Sequence, residues 1–279
     1  MQAFALTLAF AAALVASLLL RLYLATRQMR HVAAHRGAVP DPFVAKVSLD
    51  AHQKAADYTL AKGRLSLLEI ALGCAVLLGW TLLGGLDALN AVLLSSVAPQ
   101  WGNMAYQLAL IAAFGLIGGL IELPLDLYRT FRVEQSFGFN RITGRLYALD
   151  LAKGLLLGAL IGLPIAAVIL WLMGTAGSAW WVWAWGVWVG FNVLLLVLYP
   201  TVIAPLFNKF VPLADEALKA RVQALMAKCG FAAKGLFVMD GSRRSAHANA
   251  YFTGFGAAKR VVFFDTLLGQ LTPGEVEAV

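Results

Sequence analysis

The amino-acid sequence predicts a mainly α, polytopic membrane protein. Five transmembrane helices fill a helical domain over residues 1–205, and a cytoplasmic α+β domain begins at 206 and runs to 279. Three observations carry this reading. The chain is 61% apolar and only 13% charged, whereas soluble domains are about 45–50% apolar and about 25% charged. Its basic residues are confined to three stretches of the chain. Beyond Tyr199-Pro200 the long apolar runs stop, and short alternating and helical patterns replace them. Disorder is excluded by the same composition, since disordered chains are poor in apolar residues.

No Lys or Arg precedes Arg21, and none lies between Arg64 and Arg129 or between Lys153 and Lys209. A bilayer core is crossed by about 20 apolar residues of helix. Five runs fit: Ala3–Leu20, Leu65–Leu86, Met104–Ile121, Gly154–Met173 and Ala179–Tyr199. The first lacks a basic leader and a small-residue cleavage site, so it reads as a retained helix. Gly115 and Gly119, and Gly154, Gly158 and Gly162, form GxxxG stripes that predict close helix packing. Glu122 falls at the end of the third run and reads as structural.

The 22 basic residues divide into eight from Arg21 to Arg64, five from Arg129 to Lys153 and nine from Lys209 to Arg260. The two other loops hold none, so the positive-inside rule puts the N-terminus outside and everything after Tyr199 in the cytoplasm. The eight Trp residues then all lie toward the outer half of the membrane, as an aromatic belt would. The competing reading of the Trp cluster is a soluble aromatic core. Cys74 and Cys229 form no CxxC pair and read as buried thiols. The net charge of +7 marks topology and not a nucleic-acid surface, because no basic module interleaves it.

Leu125–Asp150 is too polar to span and reads as an amphipathic helical linker on the membrane surface. Arg21–Arg64 reads the same way, broken at Pro40-Asp41-Pro42. Asp215–Cys229 has helical spacing, with Gly230 just past its end. Gly235–Met239, Ala248–Thr253 and Arg260–Phe264 read as three strands, the last two a hairpin around Gly254-Phe255-Gly256. Asp240, Arg243, Arg244 and Asp265 are assigned to turns, strand ends and the solvated face. Thr272-Pro273-Gly274-Glu275 opens a helix through a capping box. That helix reaches Val279 after about two turns, too short to bury a face alone, which predicts that the sequence is a fragment.

The run from Met239 to Leu268 (MDGSRRSAHANAYFTGFGAAKRVVFFDTLL) closely resembles the type I CAAX prenyl proteases, membrane zinc metalloendopeptidases. Glu122-Leu123-Pro124, Phe137-Gly138-Phe139-Asn140 and Ile203-Ala204-Pro205-Leu206-Phe207-Asn208 match as well, in order along the chain. The resemblance implies that the C-terminal part begins a zincin-like peptidase domain. It implies that the helix after Thr272 continues into His-Glu-x-x-His, whose histidines share Zn²⁺ while the Glu serves as base. The chain holds only His31, His35, His52 and His247 and no such motif, so as it stands it is expected to bind no catalytic zinc and to cleave nothing. No catalytic residue and no metal ligand is assigned in it. His247 alone reads as a hydrogen-bonding rather than a ligating histidine.

The same resemblance makes Asn249-Ala250-Tyr251 an edge strand that pairs with an extended peptide, with Asn249 adding an amide contact. Read from the residues alone, these three pair within the sheet and Asn249 serves a turn. The implied partners are a peptide or prenylated protein substrate and the lipid bilayer. The implied location is a bacterial inner membrane, or the endoplasmic reticulum. Two other readings stand beside it. A transporter would mark its path with charges near the bilayer centre, and the five runs offer only Glu69 near the start of the second. A naturally truncated, non-catalytic scaffold is the other. A serine protease is disfavoured, because no Gly-x-Ser-x-Gly lies in an apolar run.

Overall fold

The computed structural model describes residues 2–231, 233–254 and 259–279. The Phe255-Gly256 part of the expected hairpin turn lies outside the described residues. By contact density the chain divides into two units, Met1–Phe137 and Gly138–Val279.

The first unit is helical. Helix α1 (Gln2–Ala34) and α2 (Leu49–Thr81) pack together, joined across the predicted Pro40–Pro42 break by a short 3₁₀ turn, Asp41–Phe43. Pro favours such a break because it lacks an N–H and disfavours helix in the residue before it. Ser48 caps α2 by accepting from the Ala51 N–H at 3.2 Å. Arg36 closes the pair with two bonds to the Asp57 carboxylate, each 2.7 Å. Helix α3 (Gly85–Ser96) fills a loop for which no element was expected, and it packs on α4 (Ala98–Tyr128). Because α4 runs on through Pro124 to Tyr128, Glu122 lies inside a helix and not at its end. The helix then widens into a π turn, Arg129–Glu134, where Tyr58 Oη donates to Glu134 at 2.7 Å.

The second unit opens with α5 (Gly144–Thr175), capped by Thr143, and α6 (Trp180–Leu198). The expected 125–150 linker is therefore not one helix; it is the end of α4, a break near 137–143 and the start of α5. A π turn at Tyr199–Ile203 and the short α7 (Ala204–Phe207) lead to a four-stranded sheet. Its strands are β1 (Phe210–Pro212), β2 (Gly235–Met239), β3 (Ala250–Thr253) and β4 (Arg260–Phe264), in the order β1-β2-β4-β3. β2 and β4 are parallel, while β1 pairs with β2 and β3 with β4 antiparallel. The structure adds to the three-strand reading in two ways. Phe210-Val211-Pro212 adds a strand too short to read from its pattern. The sheet packs on α8 (Glu216–Lys228), α9 (Asp265–Gln270) and α10 (Pro273–Ala278) through Leu213, Leu218, Val222, Leu236, Phe263, Leu267 and Val276. Thus α10, though two turns long, buries Val276 to 3% exposure.

Five helical stretches are long and apolar enough to cross a membrane, by length and composition: Phe4–Ala34, Leu49–Thr81, Ala98–Glu134, Gly144–Thr175 and Gly177–Phe207. In three of them the most apolar window has none of its residues buried within the chain. Apolar surface left uncovered to that extent has lipid as its solvent. Six of the eight Trp are more than half exposed (Trp101, Trp171, Trp181, Trp183, Trp185 and Trp188), which removes the aromatic-core reading. Two packing expectations are corrected. A Cβ built at Gly115, Gly119, Gly154, Gly158 or Gly162 would meet nothing within 4 Å, so these stripes do not seat a helix among the described residues. Cys229, just past α8, is exposed and not buried.

Truncating Leu218→Ala opens a cavity in the small core, and denaturant unfolding of the C-terminal sheet should show a loss of about 2–5 kcal/mol. Leu225→Ala, on the exposed side of the same helix, should change it by less than about 0.5 kcal/mol.

Candidate functional site

The expected substrate strand lies in the second unit, and the structure shows what holds it. Arg244, five residues before Asn249, carries a dense set of bonds. Its Nε and Nη2 grip the Asp150 carboxylate at 2.8 and 3.0 Å, Nη1 donates to Asn208 Oδ1 at 2.7 Å, and Nη2 donates to the Phe207 carbonyl at 2.7 Å. Both Arg244 and Asp150 are about one-fifth exposed. A planar guanidinium presents its donors in a fixed fork, which suits a carboxylate and two further acceptors at once. Arg244 therefore does not belong to the solvated face; it ties the 241–246 loop to α5 and to the residues after α7. Only the pairing of charges could have signalled this, and partners 94 residues apart leave no local pattern.

Asp240 and Asp265 do serve backbone turns. Asp240 accepts from the Lys209 N–H at 2.7 Å. Asp265 accepts from the Ser242 N–H (2.8 Å), the Ser242 hydroxyl (2.5 Å) and the Thr266 N–H (2.8 Å). Gly241 is required between them, because a Cβ there would sit 2.7 Å from the Phe264 ring. Thr266 Oγ1 donates to the His247 carbonyl at 2.8 Å. The His247 ring stacks on Phe139, with centroids 4.2 Å apart and planes 17° from parallel.

Strand β3 is an edge strand. The Asn249 carbonyl accepts from the Phe264 N–H at 3.0 Å. Antiparallel pairing alternates, so main-chain groups of Asn249, Tyr251 and Thr253 face β4, and those of Ala250 and Phe252 face the open side. Of these outward groups, the Ala250 N–H is taken by Asn249 Oδ1 at 2.9 Å. Among the described residues this leaves the Ala250 carbonyl and both groups of Phe252 at the edge. Side chains alternate the other way: Ala250 packs toward the core, Phe252 lies 73% exposed against Phe231, and Tyr251 turns to the opposite face. There its ring meets Phe264 edge-on at 6.2 Å and its hydroxyl lies 3.9 Å from Met239 Sδ. Burial pushes the Tyr251 phenol above its ordinary range, with Tyr199 adding to the shift, so it stays a neutral donor at neutral pH. Asn249 is exposed.

Residues 28–209 match the model of the CAAX prenyl protease N-terminal region with five membrane helices, and residues 212–279 match peptidase family M48. The CAAX prenyl protease 1 homolog of Oryza sativa subsp. japonica is 35% identical over 259 residues, covering 89% of this chain and 59% of the relative. CAAX prenyl protease 1 of Saccharomyces cerevisiae is 32% identical over 267 residues, covering 92% of this chain and 58% of the relative. The crystal structure of S. mikatae Ste24p superposes with a TM-score of 0.87 at 29% identity, covering 96% of this chain and 63% of that one. The fold and these matches define an integral-membrane peptidase class. The chain belongs to the CAAX prenyl protease family within peptidase family M48. It spans about three-fifths of the length of these relatives.

A metal cofactor is implied by that family. Among the described residues no group of three or more His, Cys, Asp or Glu side chains could hold one. The His31 ring, at the end of α1, meets the His35 ring just beyond it at a 36° tilt, His52 Nε2 lies 2.9 Å from the His35 carbonyl, and His247 stands on the Phe139 ring. The side chains present do not fit the group, and no chemical step is assigned through it.

Arg244→Lys replaces a fork of five donors by a point charge and should not rescue the site. Arg244→Lys and Arg244→Met should each destabilise the C-terminal sheet by about 2–4 kcal/mol, because each leaves the half-buried Asp150 poorly paired. Adding Asp150→Leu to Arg244→Met should recover part of that loss in a double-mutant cycle of unfolding measurements.

Proposed function

We propose that this chain is the membrane-embedded N-terminal part of a zinc metalloendopeptidase that cleaves peptide bonds in membrane-associated or prenylated CAAX-type proteins. The observation that carries the reading is the β3 edge, held in place beside Asn249 and leaving main-chain groups of Ala250 and Phe252 for an incoming strand. Such groups pair with any extended peptide backbone, and neighbouring side chains add preference. Asn249, Ala250 and Tyr251 are the proposed substrate-binding residues. Asn249 offers its amide Nδ2 while its Oδ1 holds the Ala250 N–H, and Tyr251 anchors the strand from the opposite face. The zinc ligands and the general base belong to parts of the whole protein outside these 279 residues, so the chain alone is proposed to be inactive.

The functional division falls near residue 205, with the helical membrane domain before it and the peptidase domain after it. The partition of basic residues supports an N-terminus outside and a cytoplasmic peptidase domain, in a bacterial inner membrane or the endoplasmic reticulum. Nucleic acid is not a partner in this reading.

The test uses the edge itself. Phe252→Pro removes an outward N–H and leaves the ladder to β4 intact, as Pro is tolerated at strand edges. In the complete protein reconstituted in liposomes, cleavage of a farnesylated CAAX peptide should fall at least tenfold with Phe252→Pro, with unchanged expression and melting. A metal chelator should abolish turnover, and added Zn²⁺ should restore it. Normal cleavage by Phe252→Pro would overturn the edge assignment, and chelator-resistant cleavage would overturn the zinc assignment.

A further inference from the structure

Helices α1 and α2 run antiparallel. Arg36 pairs with Asp57 toward one end, Met29 lies against Gly63, and Leu14 and Leu18 share a groove with Cys74 and Leu77 further along. A Cβ on Gly63 would sit 2.8 Å from Met29 Cγ, so this contact fixes the register. The register brings Arg27 and Arg30 of α1 to the level of Lys62 and Arg64 of α2, and Arg21 lies about 9–14 Å deeper at 1.5 Å per residue. Helix α1 has 33 residues, about 50 Å of helix against a hydrocarbon core of about 30 Å. Its unbroken apolar part ends at Arg21. Arg21 therefore marks the edge of the core, and the other four cations stand within side-chain reach of the headgroup layer.

These five cations have no free acid among them. No Asp or Glu precedes Asp41, and none lies between Asp57 and Glu69. Asp57 is taken by Arg36 and Glu69 by Arg129. Among the described residues Arg21, Arg27, Arg30 and Arg64 are exposed and make no hydrogen bond or ion pair, and Lys62 lies only over the Tyr58 ring. The groove beside them has a volume of about 360 Å³. Leu14, Leu18, Gly73 and Leu77 line it, and Arg21 and Glu69 stand at its polar end. From Arg21 to Leu14 and from Glu69 to Leu77 it follows the helices for about 10–12 Å. Lys62, two helical turns from Glu69, continues the Glu69–Gly73–Leu77 stripe outward over the same groove.

We infer that this groove and the cations at its mouth form a binding site for a phospholipid with a net-negative headgroup. One acyl chain lies in the groove, the phosphodiester meets Arg21, and Lys62 faces the outer part of the headgroup. An apolar groove alone would take a chain from any lipid, so the selection comes from charge. A zwitterionic lipid brings an ammonium group into a set of unpaired cations and is repelled by it. A glycerol headgroup brings none, and a guanidinium fork suits its phosphate. Each Lys or Arg near the bilayer strengthens attraction to anionic lipid about fivefold. Cations at this level also orient the chain during insertion. Orientation requires only their number on one side, and not an unpaired arginine at the mouth of an apolar groove. The site is independent of the β3 edge.

The experiment places the complete protein in phosphatidylcholine nanodiscs that hold a small share of phosphatidylglycerol carrying a diazirine on one acyl chain. Irradiation and peptide mapping should label residues 14–21 and 69–77 at least tenfold more than the same diazirine on phosphatidylcholine does. Arg21→Gln should lower this labelling at least fivefold. Gly73→Leu, at a position where a Cβ meets nothing within 4 Å, should lower it as far by filling the groove while every cation remains. Lys46→Gln combined with Lys54→Gln removes two charges on the far side of the Arg36–Asp57 pair and should change it less than twofold. Equal labelling by the two lipids would overturn the headgroup assignment. Labelling elsewhere on the chain, or labelling undiminished in Arg21→Gln or in Gly73→Leu, would overturn the groove. A loss in the Lys46–Lys54 double variant as large as in Arg21→Gln would reduce the cations to a diffuse attraction and overturn the site. Displacement of the lipid by inorganic phosphate, and not by chloride at equal ionic strength, would assign Arg21 to a free anion and overturn the lipid.

Discussion

The guanidinium of Arg244 is the contact on which the placement of the C-terminal sheet's β3 edge depends. An ion pair this little exposed is costly to desolvate unless its remaining donors and acceptors are also met. Here Asp150, Asn208 and the Phe207 carbonyl all meet them. The consequence reaches beyond one pair. Asp150 stands on α5, and Phe207 and Asn208 stand at the end of α7, so one side chain refers the 241–246 loop to helices that run toward the bilayer. The Arg244 carbonyl also accepts from Arg141. The 241–246 loop and the Phe139–Arg141 segment are thus held by the same residue, one through its side chain and the other through its main chain.

A second constraint acts on the helices. In lipid each backbone polar group has to be satisfied inside its own segment, and the long helices α1, α2, α4, α5 and α6 largely meet that demand, with α4 kinked at Gly102 and a Pro inside each of α4 and α5. Of their polar side chains, some bond back to the preceding turn, as Thr26 and Asn192 do, and others pair between helices. Arg129 pairs with Glu69 and lies 3.5 Å from Asp126, at one end of a cleft of about 560 Å³ between α2 and α4. Leu72, Val76, Trp80, Phe114 and Ile121 line the rest of that cleft. Glu69, which stood out in the sequence as a charge near an apolar run, is therefore a packing partner of α4. A charge at that depth is tolerated because its counter-charge comes from the facing helix.

Much of this architecture was legible in the sequence because it rests on local rules. The five spans follow from apolar length, α8 from its Asp215 cap and its spacing, and α10 from the Thr272–Glu275 capping box. Strands β2 and β4 follow from short β-branched and aromatic runs. What escaped is what depends on distant partners. β1 is three residues ending in Pro212 and becomes a strand only because Met239, Val238 and Phe237 pair with it. α9 follows β4 with no side-chain cap, so nothing in the sequence separates the two. The glycine stripes were misread because the GxxxG spacing states that a helix can be approached closely, not that one is present. Of the candidate site, β3 was legible as a strand from its residues, whereas the bonds made by Arg244 and by Phe139–Arg141 were not, since both span roughly a hundred residues.

An exposed strand edge is a hazard in any folded protein, because it invites pairing with other chains. This sheet treats its two outer strands differently. β1 is held to three residues and ends in proline, which limits what can add to it. β3 keeps outward groups at Ala250 and Phe252, yet the next even position upstream that is paired, Ala246, is closed by Phe139. Asn249 meanwhile covers the Ala250 N–H with its own side chain. An edge blunted only for protection would be covered along its length or interrupted by charge. Among the described residues the cover lies at one end, and the exposed side chain on the outward face is Phe252, held only against Phe231.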